Sequence, residues 1–288
     1  MTIEYPLSAG QQGLWSLEQR FPNRGLYNNS GAWRLPMDIS VPALRRAAER
    51  VCARHPAWRS TFSEREGVPY QVARNDLSTG FREVSCDPDV DLEAVLEEQA
   101  SEFMDIERDL PVRWVVISIS GQRPVLFLMA HHIIADAWSV VTAITELGAL
   151  YREEMGGSAA DLPTPARSYA EFIQEQANWL ESREGERQKL FWRETLSGRI
   201  PTLDLPTDRP RRAEPSFHTD CFPFAIPVAL REGMQRLAKE MNMRPLALWL
   251  SAWFVFLHRL SGAEDLATTI PVAGRGEECE SRAFRAKS

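Results

Sequence analysis

The 288-residue chain has little cysteine, only Cys52, Cys86, Cys221 and Cys279, and these lie far apart. There is no CxxC pair and no cluster of cysteines and histidines at metal-ligand spacing, so neither a disulfide framework nor a metal site is expected. Basic excess is absent too. Lys and Arg total 33 against 40 Asp and Glu, a net charge of −7, which removes any global attraction to nucleic acid or an anionic membrane. The longest apolar run, Pro245 to Leu257, is too short to cross a bilayer and ends in His258 and Arg259, as a buried helix would. Met1 leads into Thr2-Ile3-Glu4-Tyr5-Pro6, with neither a basic start nor an apolar stretch. No signal peptide is therefore expected, and the chain reads as cytoplasmic. It shows no solenoid repeat and no phosphate-cradling glycine loop, so no nucleotide site is expected.

What is present is ordinary globular composition, 44% hydrophobic and 25% charged, with helix and strand patterns alternating as a mixed α/β fold requires. The spacing predicts helices over Val41 to His55, Asp91 to Met104, Trp138 to Met155 and Tyr169 to Leu180. Asp91 reads as the N-cap of its helix. Strands are predicted at Trp58 to Glu64, Val112 to Ile119 and Val125 to Ala130, the last uniformly apolar and so suited to a strand covered on both faces. Two domains are read, 1–180 and 181–288. The proline- and charge-rich Leu205 to Arg212 reads as a linker or loop. The second domain is expected to hold strands near Asp220 to Ile226 and Leu266 to Val272, with helices at Val228 to Met241 and Pro245 to Leu260. It then runs into a charged tail and reads as unfinished.

Chemistry concentrates in Met129-Ala130-His131-His132-Ile133-Ile134-Ala135-Asp136-Ala137-Trp138-Ser139. Two histidines end an apolar strand just before a helix. Neighbouring strand residues point to opposite faces, so one imidazole can face a cleft while the other packs inward. Imidazole titrates near neutrality and suits orienting or deprotonating an amine. The residues alone leave a second reading open, a histidine pair that is merely packed or solvated.

Several stretches, in order, resemble the condensation domains of nonribosomal peptide synthetases, within the chloramphenicol acetyltransferase-like superfamily. His131-His132-Ile133-Ile134-Ala135-Asp136-Ala137-Trp138-Ser139 resembles the family's HHxxxDGWS signature. Pro6 to Trp15, with Tyr27-Asn28 following, resembles its opening motif, and Arg54-His55-Pro56-Ala57-Trp58-Arg59-Ser60-Thr61-Phe62 its RHxxLRTxF motif. Phe103 to Arg113 is similar to FDLxxGPLxR, and Tyr169 through Trp179 to YxDYAxW. Leu205 to Pro210 and Pro271 to Arg275 fit the second half.

The resemblance implies a two-lobed acetyltransferase-like α/β fold with a mixed sheet and a truncated second lobe. It implies amide formation between a carrier-bound acyl or peptidyl thioester and a carrier-bound aminoacyl acceptor. His132 would be the active-site histidine, in a tunnel between the lobes, with His131 and Asp136 completing the motif. Asp136 would pair with an arginine, Arg59 first and Arg54 second, and losing that pair would cost about 3–5 kcal/mol. Ala137 replaces the family's glycine, which implies a tighter or impaired loop. Trp138 is expected in the core, and Ala137, Trp138 and Ser139 are candidate substrate contacts. No cofactor is expected on this chain, since the phosphopantetheine arms belong to donor and acceptor carrier proteins. Adjacent adenylation or polyketide synthase domains are the other implied partners. An ester-forming relative and a non-catalytic domain docking a carrier protein or tailoring enzyme are the alternatives. Epimerisation and cyclisation domains are disfavoured by the order Trp138-Ser139 and by the paired histidines.

Overall fold

The computed structural model describes residues 3–22, 25–76, 79–164, 168–198, 201–210 and 222–270. The chain divides into two units, Met1–Arg187 and Gln188–Ser288.

The first unit opens with β1 (Ile3–Pro6), α1 (Ala9–Arg20), β2 (Asn28–Arg34) and α2 (Val41–Arg54). After a 3-10 turn, Pro56–Arg59, come β3 (Ser60–Arg65), β4 (Val68–Ala73), β5 (Phe81–Cys86), α3 (Leu92–Ser101), β6 (Val112–Ile119) and β7 (Val125–His131). Then α4 (Ala137–Glu154) and α5 (Tyr169–Glu181) follow, and α6 (Arg183–Thr195) runs across the boundary. The expected strand at Trp58 therefore starts two residues later, because Pro56 fixes a helical turn first. Asp91 caps α3 as expected, accepting from the Glu93 N–H at 3.0 Å.

Two sheets form. One has the order β1-β4-β3 and is antiparallel. Its β3–β4 hairpin turns through Glu66 and Gly67, both at positive φ (53° and 80°), the backbone that matches strand twist in a two-residue turn. The other is mixed, ordered β2-β7-β6-β5, with β5 parallel to β6 and the remaining pairs antiparallel. Strand β7 has a neighbour on each side and is buried along its whole length, which is why its sequence is apolar without alternation. The helix α2 buries Ala43, Leu44, Ala47, Ala48, Val51 and Cys52, a stripe at helical spacing. All but Ala43 join Trp114, Leu128 and, from α4, Ala143, Leu147 and Leu150 in one core. On the smaller sheet, Ile173 of α5 packs with Tyr5 and Ala73.

The helices α2 and α4 run antiparallel along a charged seam. Arg46 and Arg50 reach Glu153 and Glu154. One turn further on, Arg54 Nε donates to Glu146 at 3.2 Å, and the His55 ring lies 2.6 Å from its other oxygen. Burial raises the Glu146 pKa, but hydrogen bonding and charge from His55 and then Arg54 outweigh it and leave the carboxyl below its ordinary value. A depressed carboxyl stabilises the fold above its unfolded value of about 4.3 and loses that contribution as pH falls through the folded value. Glu146→Gln is therefore expected to flatten the fall of the urea midpoint below about pH 4.3. An acid limb as steep as wild type would contradict this.

In the second unit, α7 (Val228–Glu240) and α8 (Pro245–Ser261) match the predicted helices in extent. The expectation that the apolar run forms a buried helix is corrected: α8 buries only Leu257, and Trp253, Val255 and Phe256 are about half exposed. The predicted strands fail where they can be judged: neither 222–226 nor 266–270 is strand. A strand needs a hydrogen-bonded neighbour, and the described residues of this unit contain none. Residues 220–221 and 271–272 of those predicted strands lie outside the described residues. Among the described residues no helix is long and apolar enough to cross a membrane.

Candidate functional site

Strand β7 ends at His131, and the chain turns at once into α4. The turn closes with the Ile134 N–H donating to the His131 carbonyl at 3.0 Å. Its flanks are held by main chain from two other segments. The His131 N–H donates to Pro111 O at 2.9 Å and the His132 N–H to Tyr27 O at 2.7 Å. Asn29 of β2 reaches over to donate its side-chain N–H to Ala135 O at 3.2 Å.

The two imidazoles differ in exposure because β7 ends between them: His131 is the last strand residue and His132 the first of the turn. His131 is 2% exposed. Its Nε2 lies 3.0 Å from Glu18 Oε1, and its Nδ1 accepts the Ile133 N–H at 3.1 Å. Accepting there requires an unprotonated Nδ1, so the neutral ring carries its proton on Nε2 and donates it to Glu18. That ring has no free nitrogen for a substrate. His132, one residue on, is exposed and has both ring nitrogens for outside partners.

Asp136 is the N-cap of α4. Its Oδ1 accepts from the Ser139 N–H at 2.8 Å and from the Ser139 hydroxyl at 2.6 Å. The arginines expected to meet it are engaged elsewhere. Arg59 donates to Arg74 O and Asn75 Oδ1, while Arg54 serves Glu146 and Pro163 O. The expectation of an Asp136 bridge to Arg59 or Arg54 is thus corrected: Arg54 leaves α2 on the side that faces α4, and Arg59 sits in the 3-10 turn beside the end of β4. Asp136→Ala removes both acceptances at the cap and is expected to cost about 1 kcal/mol or more, read as a lower urea midpoint. An unchanged midpoint would show the cap to be idle.

Ala137 is exposed and is the first residue of α4. No residue of this turn has positive φ, so the alanine meets no backbone strain where the family has glycine. Trp138 is 37% exposed, which corrects its placement in the core: as the second residue of α4 it lies on the outer side of the first turn. Ser139 is committed to the Asp136 cap.

Sequence reasoning missed Gln11, Glu18 and Gln71. Gln11 and Gln71 form a reciprocal buried amide pair, 3.2 and 2.9 Å. Gln11 also donates to Ile133 O at 2.9 Å and accepts the Ser8 N–H at 3.0 Å. A signal was available: Gln11, Trp15 and Glu18 stand at i, i+4 and i+7 of α1, one face of a helix, on which polar residues flank a tryptophan. Among the described residues no group of three His, Cys, Asp or Glu is placed to hold a metal.

The family model described as Condensation domain matches residues 1–284. A linear gramicidin synthase of Brevibacillus parabrevis is 31% identical over 281 residues, spanning 96% of this chain and 4% of that protein. Among solved structures, SgcC5 from Streptomyces globisporus is similar with a TM-score of 0.75 and 26% identity, over 95% of this chain and 64% of that one. The X-domain in its complex with OxyB from teicoplanin biosynthesis matches with a TM-score of 0.77 and 26% identity, over 90% of this chain and 58% of that one. The chain thus spans only a few per cent of the curated relative and about six-tenths of these solved chains.

Proposed function

Because the chain belongs to the condensation-domain family, we propose that it joins a carrier-bound acyl or peptidyl thioester to a carrier-bound aminoacyl acceptor through an amide bond. The observation that carries this reading is the exposed His132 imidazole on a turn whose neighbouring peptide groups are all hydrogen-bonded.

The acceptor amine attacks the thioester carbonyl, forming the C–N bond and a tetrahedral oxyanion. The oxyanion collapses by breaking the C–S bond, leaving an amide and a thiol. The amine must shed one proton and the departing sulfur must gain one. A neutral imidazole at His132 accepts the first as it orients the amine. No side chain forms an acyl intermediate in this scheme. His131 is structural, since both its nitrogens are occupied, and Asp136 acts through the start of α4. Ala137, Trp138 and Ser139 border the site at the first turn of α4.

The phosphopantetheine arms come with the donor and acceptor carrier proteins, and adjacent adenylation or polyketide synthase domains load them. This chain holds no cofactor of its own. Work in the cytoplasm is in keeping with Cys52 and Cys86 being free thiols.

A docking role is the second reading, favoured by the 26% identity to the X-domain captured with OxyB. One assay separates the two. Donor and acceptor carrier proteins, both loaded, are incubated with the chain, and amide-linked product on the acceptor is followed by mass spectrometry. Product that requires both loaded carriers and the chain supports condensation. Carrier binding without product supports docking and ends the catalytic reading.

A further inference from the structure

We infer that Glu18 is a positioning residue for His132, acting through His131: by accepting the Nε2 proton it keeps Nδ1 open to the Ile133 N–H, which pins the peptide bond next to His132. The catalytic meaning of this rests on His132 being the amine-facing group; the hydrogen-bond relay itself does not.

The geometry is a chain of single-choice contacts. Glu18 Oε1 is 3.0 Å from His131 Nε2, and His131 Nδ1 is 3.1 Å from Ile133 N. An ionised carboxylate only accepts and a main-chain N–H only donates. Between them the imidazole must donate from Nε2 and accept at Nδ1, so the two ends fix one tautomer. The other tautomer would set N–H against N–H and leave a carboxylate against a lone pair. His131 and Glu18 side chains are only 3% and 12% exposed, so water is poorly placed to substitute for either contact.

The relay ends on the peptide group that follows His132. The peptide group before it is held by Tyr27 O, and the one after Ile133 by Gln11 Nε2 and the His131 carbonyl. Three consecutive peptide groups are thereby fixed around one exposed imidazole. Helix α1 supplies two of the anchors, from Gln11 and Glu18, seven residues apart on one face. Sheet register alone would fix the ladder up to His131; α1 fixes what comes after it.

The test uses the chain labelled with 15N. In wild type the His131 ring should give the pattern of a neutral imidazole protonated on Nε2, and the Ile133 amide should exchange slowly. Glu18→Leu should mix the tautomers and speed Ile133 exchange about tenfold, the worth of one net hydrogen bond. Glu18→Gln, whose amide oxygen still accepts, should keep both the tautomer and the protection. In the two-carrier assay Glu18→Leu should lower kcat and leave KM in place, with Glu18→Gln restoring kcat. The proposal falls if wild-type His131 is protonated on Nδ1, if Glu18→Leu changes neither spectrum nor exchange, or if Glu18→Gln loses both. Should Glu18→Leu not fold, the wild-type spectrum and Glu18→Gln still decide. Full turnover by His132→Ala would instead sink the catalytic reading and leave the relay standing.

Discussion

Replacing His132 by alanine is expected to cut amide formation by about 10²–10³-fold, within the range for a positioned acid–base group, while the unfolding midpoint stays where it is. The two halves of that result come from one observation. The side chain is exposed, so its removal opens no cavity and strands no buried polar group. What His132 gives the fold is its main-chain N–H to Tyr27 O, which alanine retains. The loss should fall on kcat with KM little changed, because the imidazole meets the amine as its charge develops and not the length of either carrier arm. His131→Ala separates the two roles. It removes a buried ring held at both nitrogens and should lower the unfolding midpoint as well as turnover. A His132→Ala variant as active as wild type would take the imidazole out of the mechanism.

The histidine turn shows which links were legible in the sequence. An apolar run ending in two histidines before a helical pattern located β7, the turn and α4 to within a residue, since period and alternation are local properties. The split between a buried His131 and an exposed His132 was expected from alternation, but His132 stands in the turn past the strand, and the turn sets its exposure. The cap contact of Asp136 was not read. The resemblance suggested an arginine, yet the Asp136-x-x-Ser139 spacing was itself an N-cap signal, and the structure has that local contact. Strand β2, Asn28–Arg34, escaped because it is the edge of its sheet and half exposed, with little hydrophobic contrast. The helix α6 escaped because charge surrounds it and its single buried residue is Gly185, so it has no apolar stripe to read. The Glu18 and Gln11 contacts with residues 131 and 133 join positions more than a hundred residues apart. The helix α1 was itself not predicted, so neither its polar face nor what that face would meet was read.

The tryptophans show where such reading goes wrong and yield the largest expected change in stability. The motif tryptophan, Trp138, was expected in the core but is 37% exposed, whereas Trp114 in the middle of β6 is 0% exposed. Trp114 lies with its ring centroid 5.9 Å from that of Trp58 and pairs across the ladder with Leu128 of β7. Truncating a buried tryptophan removes its transfer free energy and leaves a cavity that a packed sheet closes poorly. Trp114→Ala should therefore cost about 3–5 kcal/mol, about a fifth or more of the stability of an ordinary domain. Trp138→Ala, at a residue that is 37% exposed, should cost far less. Trp114→Phe should be much milder than alanine, since it keeps an aromatic ring in the stack and removes an indole N–H that is buried with no oxygen or nitrogen to accept from it. Urea unfolding followed by circular dichroism ranks the three variants. Equal midpoints for Trp114→Ala and Trp138→Ala would mean that the core is not built around β6, and the burial of β7 beneath the histidines would need another explanation.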